Sequence, residues 1–94
     1  RDLRYVKTVR YSGTASGTVT IQIGSFREQA NAERLKKGLE FKYNNVYIAQ
    51  AIVRGDTYYR VRLGKFPGRG SAQKVAAELA QEGYDVLITR FEKG

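Results

Sequence analysis

The sequence predicts an α+β domain, a four-stranded antiparallel sheet with two helices on one face. Three observations predict it. The chain matches itself at an offset of 40 residues: Ile21-Gln22-Ile23-Gly24-Ser25-Phe26 returns as Val61-Arg62-Leu63-Gly64-Lys65-Phe66. In each copy a period-two apolar run is followed by a stripe with helical spacing. Between the copies, Arg54-Gly55-Asp56-Thr57 reads as a tight hairpin turn, because Gly followed by Asp suits a type I′ or II′ turn. Two βαβ halves joined by a hairpin give the order β-α-β-β-α-β.

Each element follows in turn. Residues 1–18 read as a linker or the tail of a preceding domain, with the domain proper at 19–94. Within that tail, Arg4 to Tyr11 alternates well enough for an extra edge strand, and Ser12 to Gly17 is a small-residue linker. Val19, Ile21 and Ile23 share one side of the first strand, Thr20 and Gln22 the other, and Gly24 is read as its end. A helix over about Gln29 to Phe41 carries Ala32, Leu35 and Leu39 on one face. Tyr43-Asn44-Asn45 is a turn. The second strand runs from Val46 to Val53, with Val46 and Ile48 inward. The third runs from Tyr58 to Leu63, with Tyr59, Val61 and Leu63 inward. Ser71 is a good N-cap for a helix from Ala72 to Glu82 whose stripe is Ala72, Val75, Ala76 and Leu79. Gly83 sits where a helix-terminating glycine belongs, and Val86 to Phe91 is the fourth strand. This is the ferredoxin-like (RNP-type) arrangement, which leaves one sheet face open. By parity that face carries Thr20, Gln22, Tyr47, Tyr58, Arg60, Arg62 and Leu87, and no carboxylate.

Composition narrows the function. Ninety-four residues with 41% hydrophobic content make one small domain with a modest core. The chain begins at Arg1 rather than Met, so it is expected to be a piece of a longer protein. It has no Cys and no His, which removes the thiolate nucleophile, the usual general base near neutral pH and the commonest metal ligand. No cofactor and no metal are expected. The net charge of +8 favours an anionic partner, although the charge is dispersed and also serves solubility. The nine carboxylates fall on the tail, helix surfaces and turns, and the pattern places no pair on a common concave surface. Catalysis is not expected.

Gly24-Ser25-Phe26 sits at a strand-to-helix turn of the kind that binds anions, but it lacks the glycines and Lys of a P-loop. Its recurrence as Gly64-Lys65-Phe66 points to structure, with Phe26 a core plug. Gln22 and Ser25 differ from their counterparts Arg62 and Lys65, so the scaffold demands neither identity. Tyr58 and Arg60 lie on one face of the third strand, where an aromatic can stack on a sugar or base and an Arg can grip an anion. RNA-recognition domains also use an aromatic platform on this fold. The strand Tyr58-Tyr59-Arg60-Val61-Arg62-Leu63-Gly64 does not match their motif, and Gln22 stands where a stacking aromatic is needed. No nucleic-acid partner is expected; a nucleic-acid-binding or protein-docking domain is the alternative reading.

Four segments together resemble a SPOR (sporulation-related repeat) domain: Val19 to Phe26, Ala30 to Leu35, Tyr58 to Phe66, and Gly83-Tyr84-Asp85-Val86. The resemblance covers Val19 to about Phe91. It implies a non-catalytic module that binds bacterial peptidoglycan at glycan strands stripped of stem peptides. Such strands accumulate at the division septum, so it implies a periplasmic or cell-envelope location. The parent protein is then a wall or division protein, such as a lytic transglycosylase of the rare lipoprotein A type, an amidase or a division protein. Carried over by position, the ligand-contacting residues are Gln22, Ser25, Tyr58 and Arg60, with Arg62 and Leu87 on the same face. Asn31 and Tyr47 form a second tier. A monomer is expected.

Overall fold

The computed structural model describes residues 9–13 and 15–91. Seven elements succeed one another: β1 (Val9–Tyr11), β2 (Val19–Phe26), α1 (Gln29–Glu40), β3 (Val46–Val53), β4 (Asp56–Phe66), α2 (Arg69–Gln81) and β5 (Val86–Arg90). They form one five-stranded sheet in the order β1-β5-β2-β4-β3. The four strands from β5 to β3 are mutually antiparallel and have the expected order. The expected four-stranded antiparallel sheet is corrected by β1, which pairs parallel with β5 through Val9↔Val86 and Tyr11↔Ile88 and makes the sheet mixed. Alternation around Val9 to Tyr11 signalled a strand but not its partner. The rest of the expected edge strand, residues 1–8, lies outside the described residues, as does Thr14 in the small-residue segment. Ala15, in that segment, is buried in the core.

Both helices cover one face. Val19, Ile21, Val61, Val86 and Ile88 from the sheet meet Ala32, Leu39, Ala72, Ala76 and Leu79 from the helices. Burying each of the larger aliphatic side chains contributes about 1.5–3 kcal/mol, which a domain this small needs. Alanines in the helix stripes let α1 and α2 lie close on the sheet. Helix α2 starts at Arg69 with Gly68 at its N-cap position and no side-chain cap, so Ser71 lies in the first turn instead of capping. The Ala72 amide already reaches the Gly68 carbonyl at 3.4 Å, which winds the chain before Ser71 is reached.

Strands β2 and β4 run further than parity suggested. Gly24 does not end β2; it forms part of a bulge. Gln22 pairs with Arg62 and Gly24 with Val61, so Ile23 and Gly24 together oppose one residue of β4. A second bulge lies in β4, where Ile21 pairs with Leu63 but Val19 pairs with Phe66. Gly64 sits in it with φ of +80°, a conformation costly for any residue with a Cβ. A Cβ on Gly64 would stand 2.5 Å from Phe66 Cε2, and one on Gly24 would stand 2.8 Å from Phe26 Cε2. In both halves the phenylalanine ring therefore folds over the bulge glycine two residues before it. That packing explains why Gly and Phe recur together. The hairpin turn is Arg54-Gly55, with φ of +53° and +86° and Val53 paired to Asp56. Positive φ at both central residues is the type I′ turn that suits a twisted hairpin.

Candidate functional site

The open face is organised in rows set by strand register. Arg10, Leu87, Gln22, Arg62 and Tyr47 are successive cross-strand partners from one sheet edge to the other. The next row places Ser25 beside Arg60 and Arg60 beside Ala49. Tyr58 follows on β4, paired with Ala51. Gln22 and Ser25 are three apart, so a regular strand would point them to opposite faces. The Gly24 bulge restores Ser25 to the face of Gln22 and sets it opposite Arg60. By the same parity the Gly64 bulge brings Lys65 to the face of Arg62.

Central to the face is one contact between repeat-related residues. Arg62 Nε donates to Gln22 Oε1 at 3.1 Å. Arg62 is only 8% exposed, so its guanidinium lies along the sheet and does not stand off into solvent. Engaging the Gln22 carbonyl oxygen turns the amide NH2 away from Arg62, which leaves donors for a ligand's acceptors. On the helix side, repeat-related Lys42 and Glu82 meet in the same way, Nζ to Oε2 at 2.5 Å. Two such pairs mark the approximate two-fold axis that the duplication predicts.

Arg60 is half-buried. Its Nε is shielded from solvent and has no hydrogen-bond partner among the described residues. An unmet buried donor costs about 1–3 kcal/mol, a cost that a face built only for stability would shed. Arg27 lies over the Tyr58 ring, 5.6 Å from its centroid, and its Nη2 is 3.3 Å from Asp56 Oδ1. That exposed pair puts a carboxylate at the hairpin end of the face, where parity had placed none. Tyr47 donates its hydroxyl to Thr20 Oγ1 at 2.9 Å, and the fully buried Thr20 donates to the Leu63 carbonyl at 3.2 Å. Tyr47 also meets Phe91 edge-to-face, with centroids 6.3 Å apart.

Of the residues singled out in the sequence, Gln22, Ser25, Tyr58, Arg60, Arg62, Leu87 and Tyr47 come together on this face. Asn31 lies on α1 and not on a strand of this face, and it accepts from Arg34 Nη1 at 2.8 Å. Arg27, Lys65 and Phe91 border the face and were not singled out as site residues. For Lys65 the signal was the repeat itself, since it is the counterpart of Ser25. Among the described residues no group of His, Cys, Asp and Glu is arranged to hold a metal.

Comparison with known proteins fits this architecture. The SPOR domain family matches residues 15–90. The chain belongs to the SPOR domain family. SPOR domains are non-catalytic, in keeping with the composition. The SPOR domain of RlpA from Pseudomonas aeruginosa has a similar structure, with a TM-score of 0.62 and 24% identity over 78% of this chain and 99% of that one. The peptidoglycan binding domain of the B. subtilis cell wall lytic enzyme CwlC has a TM-score of 0.58 and 28% identity, covering 82% of this chain and 92% of its own. None of the curated proteins matches the chain.

Proposed function

We propose that this SPOR domain binds peptidoglycan, that its ligand is a glycan strand without stem peptides, and that it carries its parent protein to the division septum. The site is the open face: Gln22, Ser25, Tyr58 and Arg60, with Arg62 and Leu87 beside them and Tyr47 at the edge. Asn31 braces the start of α1. The observation that carries this reading is the Gly24 bulge, which gathers Ser25, Gln22 and Arg60 on one surface. The likeness to the B. subtilis peptidoglycan binding domain supports the same ligand class. The place of action is the cell envelope, and the domain acts as a monomer.

The chemistry suits a stripped strand. Its lactyl groups end in free carboxylates, which Arg60 can bind by charge-assisted hydrogen bonds worth about 1.5–3 kcal/mol each. Tyr58 offers a ring for a sugar face, and Gln22 and Ser25 exchange hydrogen bonds with N-acetyl groups. A stem peptide converts the carboxylate to an amide and adds bulk, so it removes the charge and obstructs the face together. Purified sacculi test this directly. Amidase treatment is expected to raise the amount of domain retained, and Gln22→Ala with Arg60→Ala is expected to abolish retention without unfolding. Equal retention before and after amidase refutes the stripped-strand specificity.

A further inference from the structure

The approximate two-fold axis through Gln22 and Arg62 has a consequence at the opposite end of the face. On one side of that pair stand Ser25, Arg60 and Tyr58. On the other, the Gly64 bulge raises Lys65 beside a cavity of about 390 Å³, lined also by Asn45, Tyr47 and Phe91. Lys65 is exposed, and its Nζ lies over the Phe91 ring at 5.2 Å from the centroid. Phe91 and Tyr47 present a ring edge to a ring face and together form an aromatic corner. The Tyr47 hydroxyl donates to Thr20 Oγ1 at 2.9 Å, which orients the Tyr47 ring. Among the described residues no carboxylate pairs with Lys65.

We infer that this cavity is a second subsite, in which Lys65 takes a sugar carboxylate while Tyr47 and Phe91 pack against the apolar side of the ring or its acetyl methyl. This rests on the reading of the open face as a glycan site and deepens it. Tyr58 and Lys65 are separated along β4 by about 20 Å, at roughly 3.3 Å per residue with allowance for the bulge. A single extended oligosaccharide spans that distance, crossing the Gln22–Arg62 pair on its way. The duplication thus supplies two grips of different chemistry, and binding at one raises the effective concentration at the other. A disaccharide reaches only one grip, whereas an octasaccharide reaches both.

The test uses a stem-free octasaccharide and the same octasaccharide with its lactyl carboxylates reduced to alcohols. Affinities are measured for the unaltered domain, Lys65→Gln and Arg60→Ala. Lys65→Gln is expected to weaken binding of the acidic octasaccharide on the order of tenfold, the loss of one charge-assisted contact. It is expected to leave binding of the reduced octasaccharide unchanged. Full affinity of Lys65→Gln for the acidic octasaccharide overturns the second subsite. An equal loss for both ligands also overturns it, since the lysine is then not reading a carboxylate. If Lys65→Gln binds fully while Arg60→Ala is weakened, the first grip stands alone. No binding by the unaltered domain overturns the subsite and the glycan reading together.

Discussion

Gly64→Ala tests the physical basis of the face. The alanine must adopt φ near the observed +80°, which costs an L-residue about 1–2 kcal/mol. Its Cβ must also find room where Phe66 Cε2 stands 2.5 Å away and Phe66 Cζ 2.7 Å away. Displacing a packed ring costs about 1–3 kcal/mol by analogy with other overpacked cores. The two terms together predict a loss of about 2–5 kcal/mol. For a domain of this size that lowers the melting temperature by about 10 °C or more. Urea unfolding is the assay, with m unchanged and the midpoint lowered. In a Phe66→Leu background the ring is gone, so Gly64→Ala should cost only the backbone part, about 1–2 kcal/mol. A loss below about 0.5 kcal/mol in the natural background refutes the account of why glycine and phenylalanine recur together.

Other perturbations separate stability from binding. Arg60→Ala should weaken stripped-strand binding by about tenfold or more, and calorimetry should show that weakening shrink as salt rises, because a carboxylate contact at an open face is screened. Gly38 lies within α1 with nothing near the position of a Cβ, so Gly38→Ala should stabilise by about 0.5–1 kcal/mol in urea unfolding and leave binding untouched. Alkaline pH should destabilise the fold. The hydrogen bond to Glu82, aided by its charge, raises Lys42 above its ordinary 10.5, while burial and then the Glu82 charge raise Tyr43 above its ordinary 10.0. Both groups bind protons more tightly when folded, so their contributions are present below about pH 10 and are lost as pH rises through the folded values. Thermal melts of Glu82→Gln should show a shallower alkaline decline than those of the natural sequence.

Much of the fold is legible in the residues because the repeat is a packing constraint. Ala32/Ala72 and Leu39/Leu79 recur since both helices press small and branched side chains onto the same sheet, and Val46/Val86 and Ile48/Ile88 recur at equivalent strand positions. The bulges were harder to see. Period-two reasoning assumes an unbroken ladder, so Gly24 looked like a strand end rather than the residue that lets Ser25 rejoin the face of Gln22. The partner of β1 was equally hidden, because a three-residue edge strand carries too few side chains to declare which neighbour it pairs with. The ring of Phe91, just past the end of β5, and the cation of Lys65 on β4 meet through the tertiary fold, a juxtaposition absent from local pattern. Burial of Arg62 was likewise unreadable: its sequence position marks it as a face residue, but only its partner Gln22 explains how it lies flat.

Amide chemical-shift mapping on the labelled domain, titrated with a stem-free glycan octasaccharide, tests most directly whether the open sheet face is the binding surface. The account predicts shifts concentrated at Gln22, Ser25, Tyr58, Arg60 and Arg62, and at Tyr47, Lys65 and Phe91 if the second subsite is also filled, with the outward faces of α1 and α2 unmoved. Shifts centred on the helices, or spread evenly over the domain, would contradict it.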